Sequence, residues 1–361
     1  MKNVFLLLTF LLGTFSNSNA QSKVTKPAVL AYYTGDGKDI EKYPLNKLTH
    51  IIYSFLHLKE DTIAFDNGRS DTAFRTLVAL KSKYPHLKIM ISLGGWTGCY
   101  TCSPVFSKPE SRQRFAASVA RLLVKYNGDG IDLDWEYPTI PGPPDHPYSK
   151  DDKANFTDLI VQLHKAMRPT DELSFAAGGF TQFLEESVDW AAIMPMVARV
   201  NLMTYDLING YSTATGHHTA LYSRAEQKES TDHCVQWLLK HGVPASKLIV
   251  GAAFYARIWE NVSDSSNGLY QSGKFKQGLS YRSFDTKLSQ DSGWVHYWDK
   301  IAKAPYSYNA AQKLFATYDN EKSIVEKVKY VYKHKLGGIM FWELRDDKFN
   351  AGLVDAIYKA L

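Results

Sequence analysis

Apolar and β-branched residues come in short runs along this chain, separated by longer stretches with helical spacing. The runs AVLAYYTG (28–35), LTHIIYSFLHL (48–58), HLKIMISLGG (86–95) and GIDLDWEY (130–137) read as strands. So do ELSFAAGG (172–179), RVNLMTYD (199–206), KLIVGAAFY (247–255) and LGGIMFWEL (336–344). Helical patterns fall near 70–84, 108–126, 152–168, 185–197, 223–241 and 319–335, and a final helix runs to Leu361. Strands alternating with helices imply a parallel sheet, and eight such units predict an α/β fold, the (β/α)8 barrel.

One interval breaks the rhythm. About sixty residues rich in Gly, Ser, Tyr and Trp lie between the seventh strand and the helix near 319–335, too long for a βα loop. They predict a small α+β insertion subdomain over 257–317, built on antiparallel strands, on the side where barrel active sites lie. The expected layout is a leader over 1–20, a barrel from 21–256 and 318–361, and the insertion between.

The fourth strand is unusual. Its neighbourhood, DGIDLDWEYP (129–138), alternates acids with bulky apolar residues. Side chains alternate faces along a strand, so Asp132, Asp134 and Glu136 share one face while Ile131, Leu133 and Trp135 share the other. In a barrel the apolar set packs on the helices and the acids point inward. Buried carboxylates are costly unless hydrogen-bonded or sharing protons, so this face marks a site. Neighbouring like charges raise at least one pKa, leaving a proton on the array near neutral pH. Glu136, nearest the barrel mouth, is the natural general acid. Asp129 has the opposite parity to Asp132 and reads as support at the strand's start.

Composition narrows the function classes. The chain has 361 residues, 45% of them hydrophobic, which is ample for a large core. The net charge of +5 is spread without basic blocks, which argues against a nucleic-acid partner. MKNVFLLLTFLLGTFSNSNA has the pattern of a secretory signal peptide with cleavage near Ala20–Gln21, so a secreted or periplasmic protein is expected. No later segment is long and apolar enough to span a membrane. In a secreted chain Cys99 and Cys102 can close a tight loop disulfide. Their glycine-rich setting argues against a redox role, and spaced partners for zinc are missing. Cys234, in a helical pattern, reads as a buried free thiol. The adjacent His217 and His218 suggest a metal pair, but neighbouring residues rarely share a metal. Neither metal nor cofactor is expected.

The acidic strand also carries a resemblance. DGIDLDWE is similar to the D-x-x-D-x-D-x-E signature of the family 18 glycoside hydrolases, the chitinases. Ser92, Gly94 and Gly95 in ISLGGW (91–96) resemble the family's S-x-G-G strand. MTYD (203–206) resembles its M-x-Y-D strand, and GIMFW (338–342) its last strand. The resemblance covers essentially the whole chain after the leader.

It implies a secreted, monomeric enzyme acting on chitin or N-acetylglucosamine oligosaccharides by a retaining, substrate-assisted route. Glu136 would be the general acid and base, and Asp134 would turn from Asp132 to the acetamido N–H. Tyr205 would hydrogen-bond the acetamido group and Asp206 the distorted sugar. Trp342 would floor the central subsite, with Tyr32, Phe55, Trp96, Tyr137 and Met203 around it. Arg257, in FYAR, would reach a sugar hydroxyl, although Ala256 stands where the family has glycine. Two other functions remain on the same barrel: an endo-N-acetylglucosaminidase on N-glycans, and a chitin-binding lectin, which would be expected to lack the acid.

Overall fold

The computed structural model describes residues 26–361; the leader over 1–20 lies outside the described residues. In chain order the elements are β1 (Ala28–Tyr33), β2 (His50–Lys59), β3 (Thr62–Ala64), α1 (Gly68–Ala79), β4 (Lys88–Gly94), α2 (Cys102–Phe106) and α3 (Pro109–Tyr126). Next come β5 (Gly130–Asp134), α4 (Asp152–Ala166), β6 (Glu172–Gly178), α5 (Thr181–Glu186), α6 (Trp190–Ile193), β7 (Arg199–Met203), α7 (Thr231–Lys240) and β8 (Leu248–Ala253). The remainder are β9 (Tyr255–Glu260), β10 (Lys274–Ser280), α8 (Phe284–Lys287), β11 (Val295–Asp299), β12 (Ala304–Asn309), β13 (Leu314–Thr317), α9 (Glu321–Lys333), β14 (Gly338–Trp342) and α10 (Leu353–Ala360).

Eight parallel strands run β1-β14-β8-β7-β6-β5-β4-β2, and β1 pairs with β2 to close the barrel. The fold is the (β/α)8 barrel that the alternation predicts. Alternating parity divides its apolar residues in two. Ile131, Leu133 and Trp135 join the large cluster between strands and helices. Leu30, Tyr32, Ile52, Met90, Ala176, Met203, Ile249 and Met340 fill the barrel.

The N-terminal mouth is closed by charge. Glu172 Oε1 and Oε2 accept from Lys88 and Arg199, and His50 Nε2 lies 3.1 Å away. Burial raises the Glu172 carboxyl, but the His50 hydrogen bond and the Arg199 charge outweigh it and hold the acid well below its usual range.

Two helices differ from the sequence reading for the same reason. The pattern over 185–197 does not form one helix: α5 starts earlier, at Thr181, and ends at Glu186, and α6 starts anew at Trp190, where the Asp189 side chain accepts from Ala192 N. The pattern over 223–241 yields a helix only from Thr231, where Ser230 caps the His233 N–H. In both cases a capping side chain overrides apolar periodicity.

The interval after β8 folds as a five-stranded antiparallel sheet of order β10-β9-β13-β12-β11. It begins at Tyr255, two residues before the expected boundary, so β9 follows β8 almost directly. Trp259, Val262, Leu269, Tyr306, Tyr308 and Phe315 give it a core of its own. A buried ion pair stands at its return to the barrel. Lys327 Nζ donates to Asp319 Oδ2 at 2.6 Å, to Thr219 Oγ1 at 2.5 Å and to the Gly251 carbonyl at 3.2 Å. Asp319 also accepts from Ala253 N, so one network ties α9 to β8.

Candidate active site

A cleft of about 1290 Å³ lies over the C-terminal strand ends and is lined by Asp134, Glu136, Tyr205, Asp206 and Trp342 among others. Asp132 lies beneath it, fully buried. Its Oδ2 accepts from the Tyr32 hydroxyl at 2.8 Å and from Ser92 Oγ at 3.3 Å. Its Oδ1 accepts from Ser174 Oγ at 2.6 Å and Asn201 Nδ2 at 2.9 Å. Burial raises the Asp132 carboxyl, and these four donors offset part of the rise.

Asp134, two residues further along, has no such partners. Its Oδ1 is buried without a hydrogen bond among the described residues. Burial first, then the charges of Glu136 and Asp132, push its carboxyl well above the usual range. Glu136 lies beyond the paired end of β5 and keeps the inward parity. Burial raises its pKa to about 7, with the Asp206 charge adding to the rise and a Tyr137 hydrogen bond opposing it. Burial and like charge therefore act together against full ionisation of the array.

Asp206 behaves in the opposite way. Burial raises its carboxyl, but His218 and Arg257 more than offset that and hold it well below the usual range. Arg257 donates from Nε to Oδ1 at 2.7 Å and from a terminal nitrogen to Oδ2 at 2.5 Å, a bidentate grip. His218 Nδ1 stands 3.5 Å from Oδ1, ion-pair range rather than a formed hydrogen bond. Burial and the charges of Asp134 and Glu136 raise Tyr205 well above its ordinary value, and its hydroxyl points to the Met340 sulfur at 3.9 Å.

The floor is aromatic. Trp342 stacks on Phe55, centroids 5.5 Å apart and planes 17° from parallel. Tyr137 and Met203 complete the wall. Trp96 stands at the rim, 37% exposed. Gly94 and Gly95 have positive φ. A Cβ on Gly94 would lie 2.1 Å from the Asp134 carbonyl, and one on Gly95 2.4 Å from the Phe55 ring, so both positions require glycine. Non-proline cis peptides follow Ser54, Glu136 and Trp342.

One sequence expectation is placed differently. Tyr32 does not line the cleft; it is 1% exposed and serves Asp132 from below. Arg257 lines the cleft with its guanidinium committed to Asp206. His217 and His218 diverge: His217 Nε2 meets Asp299 Oδ2 at 3.0 Å while His218 faces Asp206. No group of three metal-ligating side chains occurs among the described residues. Asp129 supports the barrel by accepting from Ile89 N and Lys81. Cys99 and Cys102 form a disulfide, and Cys234 is buried and free, its thiol pushed up by burial.

Sequence reasoning missed Phe180, Phe275 and Tyr211, which line the cleft from loops and from the insertion. Tyr211 had a signal, an aromatic residue in an Asn-Gly turn; it is 63% exposed and its ring lies 6.1 Å from that of Trp96.

The chain is similar to known proteins in sequence and in fold. The chain is 33% identical to chitinase A1 of Niallia circulans over 74% of its length, yet spans only 42% of that relative. It is 28% identical to chitinase B of Serratia marcescens, over 92% of this chain and 83% of the other. A family 18 N-acetylglucosaminidase from Paenibacillus barengoltzii superposes with a TM-score of 0.84 at 35% identity, covering 93% of this chain and 100% of that one. The Ostrinia furnacalis Group IV chitinase superposes at 0.85 with 26% identity, covering 93% and 99%. The model of the glycosyl hydrolases family 18 matches residues 28–347, so the chain belongs to that family.

Proposed function

We propose that this protein is a chitinase that hydrolyses β-1,4-linked N-acetylglucosamine chains with retention, by a substrate-assisted route. The observation that carries the reading is Asp134. A buried carboxyl with an unpartnered oxygen, set beside Glu136 over an aromatic floor, is costly to the free protein. A ligand N–H arriving at that oxygen would remove the cost.

In this reading Glu136 gives its proton to the glycosidic oxygen as the bond to the anomeric carbon breaks. The acetamido carbonyl oxygen of the same sugar attacks that carbon and forms an oxazolinium. Asp134 turns from Asp132 to accept from the acetamido N–H, leaving on Asp132 any proton the two share, and as carboxylate stabilises the positive charge. Tyr205 donates to the acetamido oxygen. Glu136 then takes a proton from water, which attacks the anomeric carbon and reopens the ring as the β-anomer. Trp342 and Phe55 support the sugar face, and Trp96 extends the track. The same reading has the chain exported through its leader and acting as a monomer; a mature N-terminus at Gln21 would support the first part.

Hydrolysis of the N-acetylglucosamine hexamer, wild type beside Glu136→Gln, tests the assignment. Early β-anomer products that vanish in the variant support it. Binding without cleavage by the wild type overturns it and favours a lectin, and cleavage of N-glycans alone favours the glycan-trimming function. A second reading has one specific support: the Paenibacillus neighbour, matched over its full length, is described as an N-acetylglucosaminidase. Release of monomer alone from the hexamer would favour it.

A further inference from the structure

Glu136 sits past the end of its strand, so its carbonyl finds no partner in the sheet. Register pairs β4 with β5 only up to Asp134 and β6 only up to Leu133. A buried carbonyl needs a donor. The segment that passes over it cannot readily supply one from its backbone. Residues 138–147 contain five prolines, Pro138, Pro141, Pro143, Pro144 and Pro147, none of which has an N–H. The approach is close: a Cβ on Gly142 would lie 2.2 Å from the Glu136 oxygen.

The donor is a side chain ten residues on. His146 Nδ1 lies 3.0 Å from the Glu136 carbonyl oxygen. A carbonyl only accepts, so the proton is on Nδ1. His146 is 7% exposed, and its Nε2 is buried without a partner among the described residues. The ring is held from outside by Tyr100, centroids 5.1 Å apart, which sits inside the Cys99–Cys102 loop. The far end of the segment is tied down where Asp152 Oδ2 accepts from Ser149 N at 2.7 Å and Asp152 Oδ1 from Ser103 Oγ at 2.9 Å. A stiff proline-rich strap thus anchored at both ends delivers one hydrogen bond to the main chain of the acid.

We infer that His146 is a positioning residue: its Nδ1–H fixes the Glu136 main chain and so aims the carboxyl at the leaving oxygen. This rests on the reading of Glu136 as the acid. It touches no substrate, so its loss should fall on kcat and leave KM nearly unchanged. A small misplacement of an acid can cost from tenfold to a hundredfold in rate.

The test uses the full enzyme on the N-acetylglucosamine hexamer, with thermal midpoints measured in parallel. His146→Leu should lower kcat about tenfold with KM within twofold. His146→Asn, whose amide reaches the Nδ1 position, should restore most of the rate. His146→Gln, whose amide reaches the Nε2 position, should not. If the leucine variant folds poorly, the asparagine and glutamine variants decide. Equal rates for those two, an effect on KM alone, or a leucine variant as active as wild type would overturn the inference. A wild type that does not cleave overturns the chitinase reading and this inference together, whereas an active wild type indifferent to residue 146 overturns this inference alone.

Discussion

Arg257 grips Asp206 with two hydrogen bonds, Nε to Oδ1 at 2.7 Å and a terminal nitrogen to Oδ2 at 2.5 Å. The two residues come from different parts of the fold, β9 of the insertion and the loop after β7. Their pairing keeps a negative charge fixed in the cleft, and that charge is one of the causes that raise Glu136. Asp206→Asn removes it. The Glu136 pKa should fall, and the alkaline limb of the kcat/KM profile should move to lower pH. A limb that stays in place in the variant would show that Asp206 does not set the acid's proton affinity.

Wild-type activity should decline as pH rises through about 7, because the general acid is then losing its proton. The sign is fixed by the chemistry: a carboxyl with a raised pKa is in its active, protonated form below that value. Glu136→Gln should lower kcat about a thousandfold while hexamer binding persists. Initial rates across pH, with calorimetric binding to the variant, check both statements.

Trp96 and Tyr211 present exposed rings 6.1 Å apart at the rim. Each replaced by alanine should raise KM for the hexamer about three- to tenfold, the scale of one aromatic contact. The effect on a disaccharide glycoside should be smaller if it occupies the central subsite and does not reach the rim. Equal effects on long and short substrates would place the rings outside the binding track.

Lys327→Ala should lower unfolding stability by about 3–5 kcal/mol, since it leaves Asp319 charged and buried without its counter-ion. The Lys327→Ala, Asp319→Ala double variant should lose less than the sum of the singles. Urea unfolding of the set measures both.

The barrel was legible from the sequence because its cause is local. Strands at the centre of a parallel sheet are buried on both faces, so their runs of apolar residues stand out without knowledge of their neighbours. The acids were legible for the same reason: a period of two sorts Asp132, Asp134 and Glu136 to one face whatever surrounds them. What local pattern could not settle was the partner of each group. Tyr32 and Asp132 are a hundred residues apart, and only barrel closure puts the hydroxyl beneath the acid instead of in the cleft. The breaks before Trp190 and Thr231 came from capping side chains that compete with the helical pattern. The grip of Arg257 on Asp206 and the reach of His146 to the Glu136 carbonyl depend on where an insertion and a proline-rich strap come to rest. Parity along one strand is written in that strand alone, whereas a hydrogen bond between distant segments exists only once the chain has folded.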